Sequence, residues 1–76
     1  MTDKELLTNL SVNIRRRRNR AKLTKPQLSG IMGVTENVVG KWEQGASFPS
    51  LKQVIQMSEL FGVTVDFLIN KDTEYD

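Results

Sequence analysis

Between Leu23 and Glu43 the chain reads Leu-Thr-Lys-Pro-Gln-Leu-Ser-Gly-Ile-Met-Gly-Val-Thr-Glu-Asn-Val-Val-Gly-Lys-Trp-Glu, and no other stretch restricts the fold as tightly. Thr24 with Gln27 three residues on is a capping box, and Pro26 is tolerated because a first-turn residue needs no intrahelical partner for an N–H. Gly33 supplies a left-handed cap that ends this helix. A second short helix then runs from about Glu36 to Gln44 and is stopped by Gly45. Two short helices are thus locked around the turn Gly33-Val34-Thr35.

The remaining segments supply helices to pack against this pair. Leu7, Leu10, Ile14 and Ala21 fall on one stripe at 100° per residue, which predicts a first helix from Asp3 or Lys4 to Lys22. Ser50 with Gln53 repeats the capping-box signal for a fourth helix, whose inward residues are expected to be Leu51, Val54, Met57 or Ser58, and Phe61. Gly62 closes it, and Thr64 caps a last short helix from Val65 to Ile69. No strand pattern or repeat is present, so the expectation is an all-α domain of five helices over residues 1–70. The acidic segment Lys71 to Asp76 is expected to form a mobile tail.

Composition removes several function classes. With no cysteine and no histidine among 76 residues, there is no disulfide framework, and zinc binding and acid–base catalysis lose their commonest residue. No glycine-rich phosphate loop or metal-spaced cluster accompanies the serines and carboxylates, so neither enzyme activity nor a cofactor is expected. No apolar run approaches a membrane span, and the start Met1-Thr-Asp-Lys-Glu lacks a secretory pattern, so a cytoplasmic protein is expected. Charge is unevenly distributed. Residues 1–44 hold nine Lys and Arg against four Asp and Glu, and residues 45–76 hold two against five. The basic half contains the two-helix unit, as expected if that half faces phosphate.

Within the helix from Glu36, Val38, Val39 and Trp42 share one arc and Glu36, Asn37, Gly40 and Lys41 the opposite one. An apolar arc that docks the helix leaves the polar arc outward, in a form that fits the major groove of duplex DNA. Asn37 suits adenine, Lys41 suits guanine or phosphate, and Glu36 can accept from cytosine. Taken alone, such a face is as often only solvated. Gly40, which costs a helix interior roughly 1 kcal/mol relative to alanine, either allows close approach of DNA or relieves crowding against the preceding helix, and packing is the preferred reading. Lys25 joins a positive charge to a helix N-terminus, which suits phosphate. Arg16, Arg20 and Lys22 are further, weaker phosphate candidates. Arg18 and Glu43 each border an apolar arc, and a bidentate ion pair between them would clamp the first and third helices.

From Ile14 to Leu68 these residues resemble the helix-turn-helix regulators of the lambda-repressor and Cro type. The resemblance rests on Leu23-Thr24, Leu28, Gly33-Val34-Thr35, Val39-Gly-Lys-Trp-Glu43 with Gly45, Pro49-Ser-Leu51 and Leu60-Phe-Gly-Val-Thr64. It implies that Lys25 and Thr35 contact the DNA backbone, that Glu36, Asn37 and Lys41 stand at base-reading positions, and that Arg18 pairs with Glu43. Three features depart from the family pattern: Ser29 replaces a small alanine, Arg17 stands where leucine is common, and the loop Ala46-Ser-Phe48 lacks basic residues. The resemblance further implies transcription regulation, most often repression, by homodimers on inverted-repeat operators. Phe67, Leu68 and Ile69, with Phe48 as a second patch, are the candidate dimer residues. Phe67 and Leu68 are expected to close the core, which leaves Ile69 as the preferred contact. The rival reading is a protein-interaction module, antitoxin-like or adaptor, built on the same fold.

Overall fold

The computed structural model describes residues 1–71. Five helices follow one another: α1 (Asp3–Arg20), α2 (Lys25–Met32), α3 (Glu36–Glu43), α4 (Leu51–Phe61) and α5 (Val65–Ile69). Among the described residues there is no strand. The expected tail lies outside the described residues apart from Lys71.

Each helix begins where a hydroxyl can accept an orphan N–H. Thr24 and Ser50 form the expected capping boxes with Gln27 and Gln53, and Thr2 forms a third with Glu5. Thr35 and Thr64 cap α3 and α5 by accepting from Val38 and Phe67. Gly33, at φ 69°, ends α2 in the left-handed region, where a side chain would be strained.

α1 stops two residues earlier than the sequence suggested. The amide of Lys22 donates to the carbonyl of Asn19 at 3.0 Å and that of Leu23 to the carbonyl of Arg18 at 3.1 Å. This is a Schellman closure, with Lys22 itself at φ 58°. Ala21 therefore sits in the cap and is exposed instead of joining the apolar stripe. α3 likewise ends at Glu43, with Gln44 as its cap.

The core gathers Leu10 and Ile14 of α1, Leu28 and Met32 of α2, Val39 and Trp42 of α3, Val54 and Met57 of α4, and Leu68 of α5. Three buried serines line helix surfaces around it. Ser11, Ser29 and Ser58 each donate to the carbonyl three residues back, at 2.9, 2.7 and 2.7 Å, so each hydroxyl is satisfied without a tertiary partner. Leu51 is a correction: expected inward, it is 71% exposed. Its place in the first turn of α4 lies about 70° from the centre of the arc defined by Val54, Met57, Ser58 and Phe61, beyond what the core covers.

α5 is held from α1. Asn13, fully buried, donates through Nδ2 to the carbonyls of Phe67, Leu68 and Asn70 at 3.1, 2.8 and 2.9 Å. Asn9, one turn earlier, donates to the carbonyl of Ile69 at 3.1 Å. These two amides satisfy carbonyls that a five-residue helix leaves without partners. Arg17 lies over the Phe67 ring at 4.4 Å from its centroid, covering it with a cation.

Candidate nucleic-acid interface

α3 is anchored from one side. Val39 and Trp42 are buried against the core, and Glu43 is drawn in beside them by Arg18. Arg18 donates from Nε to Glu43 Oε2 at 2.6 Å and from Nη2 to Oε1 at 3.0 Å, while its Nη1 reaches the carbonyl of Leu23 at 2.9 Å. One guanidinium thereby fastens the end of α3 to α1 and to the segment entering α2. The Glu43 hydrogen bond raises the Arg18 pKa above its ordinary value, against the opposing effect of burial.

The other side of α3 is open. Glu36, Asn37 and Lys41 are exposed. Glu36, Asn37 and Gly40 line one shallow depression together with Lys25 from the first turn of α2. Three of the expected contact residues from two helices are therefore brought to one place, with Lys41 on the neighbouring surface of α3. Thr35 caps α3 through its oxygen, at 3.4 Å from the Val38 amide, which leaves the hydroxyl proton available to an external acceptor.

Gly40 departs from the preferred packing reading. A Cβ built on it meets no atom within 4 Å, so no crowding against α2 demands a glycine there. The bare backbone instead forms part of the depression's wall. Arg20 is exposed near the end of α1. Arg16 lies elsewhere, lining a separate depression with Thr8, Asn9, Val12 and Lys71. Among the described residues no group of His, Cys, Asp and Glu is arranged to hold a metal ion. No described helix is long and apolar enough to cross a membrane.

Sequence reasoning passed over Asn9 and Asn13, which shape the α1–α5 junction. The available signal was Asn13 itself, a polar residue three positions after Leu10 and adjacent to Ile14, hence on the inward arc of α1.

Five helices with the second and third joined by a left-handed glycine turn define a helix-turn-helix domain. The chain belongs to the helix-turn-helix family, whose sequence pattern matches residues 14–68. It is 33% identical over 48 residues to the HTH-type transcriptional activator BcrR of Enterococcus faecalis, a match covering 63% of this chain and 24% of that protein. Among solved structures, the SOS-response transcriptional repressor LexA from Eubacterium rectale superposes with a TM-score of 0.85 at 18% identity, covering 100% of this chain and 82% of that one. Hydroxypropylphosphonic acid epoxidase from S. wedmorenis superposes with a TM-score of 0.80 at 24% identity, covering 88% of this chain and 36% of the epoxidase chain. At such identities the two structures share the fold. The chain thus spans about a quarter of BcrR, and its match to another curated relative, the HTH-type transcriptional regulator YonR of Bacillus subtilis, covers 43% of that protein.

Proposed function

We propose that the chain is a sequence-specific double-stranded DNA-binding transcriptional regulator that places α3 in the major groove. The observation carrying this reading is the division of α3 into a buried face, Val39 and Trp42, and an exposed polar face, Glu36, Asn37 and Lys41. Rigid docking fixes where the polar groups project, and a helix of this width fits the groove. Glu36, Asn37 and Lys41 read base edges. Lys25, Thr35 and Arg20 hold phosphates, Lys25 at a helix N-terminus where anions are already favoured. Arg16, on the α1–α5 side, is assigned no contact. Arg18 and Glu43 position α3 without touching DNA.

The functional copy is a homodimer on an inverted repeat, because one short helix reads only a few base pairs and a two-fold partner doubles the site. Repression follows where the operator overlaps a site that other proteins must occupy. The named role of BcrR supports regulation as the setting. The epoxidase likeness concerns a domain covering 36% of that chain, and supports no enzymatic reading.

Selection from a random-sequence duplex pool at two salt concentrations tests the proposal. Enrichment of an inverted repeat is expected. Weak binding without enrichment, falling steeply with salt, would reduce the interaction to generic phosphate attraction and favour the protein-interaction module.

A further inference from the structure

On one flank of α4, between its core face and the polar residues turned outward, two apolar side chains are left exposed. Leu51 is 71% exposed and Ile55 44%, one turn apart on the same side. They line an open groove along α4 with Lys52, Gln56 and Glu59. Leu51 and Ile55 do nothing for the monomer's core that their exposure would explain. By contrast Ile69, the sequence-based choice for a subunit contact, is half-buried and packs against the core.

We infer that this face of α4 is the subunit contact, and that its occupant is α4 of a second copy lying antiparallel across a two-fold axis. The charges on the helix identify the occupant. Lys52 and Glu59 are seven residues apart, which places them about 20° apart around the helix and about 10.5 Å apart along it. That spacing is too long for a pair within one helix, where partners lie three or four residues apart. A two-fold axis between Ile55 and Gln56 leaves Lys52 and Glu59 equally far from the axis, in opposite directions along the helix. Lys52 of each copy then faces Glu59 of the other, twice, while the two Ile55 side chains meet beside the axis and each Leu51 extends the apolar strip outward. An isologous interface requires this self-complementarity.

α4 is only 11 residues long, about 16 Å, so the contact lies at the small end of protein interfaces and the free dimer is weak, with a dissociation constant of about micromolar or above. The core face of α4 and the polar face of α3 are not used. The inference rests on the two-copy reading of the DNA complex and assigns the surface that joins the copies.

Sedimentation equilibrium across a wide concentration range tests it. A mass rising from that of one chain toward two is expected for the unaltered protein. Ile55→Glu, at a half-exposed position that should leave helicity and urea unfolding nearly intact, is expected to raise the dimer dissociation constant at least tenfold. Lys52→Glu and Glu59→Lys are each expected to weaken the dimer by placing like charges together. The double variant is expected to regain most of the loss, because exchanging both charges restores two opposite pairs. A monomer at every concentration overturns the inference and leaves the groove to a different protein. A dimer indifferent to Ile55→Glu overturns it in favour of another face, and a double variant no better than the singles overturns the antiparallel register. Selection of a single half-site by a monomer would leave the DNA-binding reading standing while removing this one.

Discussion

Glu43 and Arg18 are bound to each other but unequally sheltered, the carboxylate side chain being 3% exposed and the guanidinium 12%. Loss of Arg18 strands a buried carboxylate, whereas loss of Glu43 leaves a cation that still reaches water and the Leu23 carbonyl. Arg18→Met is therefore expected to cost about 3–5 kcal/mol and Glu43→Gln distinctly less, with Arg18→Met/Glu43→Leu less damaging than Arg18→Met alone. Urea unfolding of the three variants checks the order, and a double variant at the sum of the singles would contradict it. The positions of this pair are legible in sequence because both residues border apolar arcs whose period is local information. Gly40 is not legible in the same way, since only the assembled fold reveals that nothing stands over it. Gly40→Ala is expected to stabilise α3 by about 0.5–1 kcal/mol in urea unfolding. The same change is expected to lower operator affinity, because the methyl group enters the depression beside Asn37; undiminished affinity would show that DNA does not approach this backbone.

At the scale of the elements, helix starts were readable and helix neighbours were not. A capping box spans three residues, so Thr24 to Gln27 and Ser50 to Gln53 announce α2 and α4 without any tertiary context. The end of α1 escaped because Lys22 takes a left-handed conformation that nothing in its residue type demands. Asn9 and Asn13 escaped because their acceptors lie 54 to 60 residues away. Leu51 was misassigned because periodicity gives its direction about the helix axis but not how far the core extends. The Asn13 amide carries its own prediction. Asn13→Asp replaces a donor that faces three carbonyls with a buried anion, and is expected to destabilise the domain by at least about 3 kcal/mol. Thermal unfolding followed by far-UV circular dichroism measures this. A loss below about 1 kcal/mol would mean that α5 is not secured through these hydrogen bonds.

Across the whole molecule, the uneven charge seen in sequence is only partly available to DNA. Of the basic residues in the first 44 positions, Arg18 is bound to Glu43, Arg17 covers Phe67, and Arg16 lies on the α1–α5 side. In the proposed complex Lys25 and Arg20 carry the electrostatic attraction to phosphate, while Asn37 and Lys41 carry base recognition. These two functions separate experimentally. Asn37→Ala with Lys41→Ala is expected to erase discrimination between operator and unrelated duplex while leaving helicity unchanged, as a filter-binding competition would read. Lys25→Ala is expected to weaken binding to every sequence about equally. Two phosphate-bound cations per copy amount to four in a dimer, so log affinity against log salt should have a slope of about −4, and Lys25→Ala should reduce it to about −2. A slope unchanged by Lys25→Ala would place that ammonium off the phosphate backbone, and with it the α2 N-terminus off the DNA.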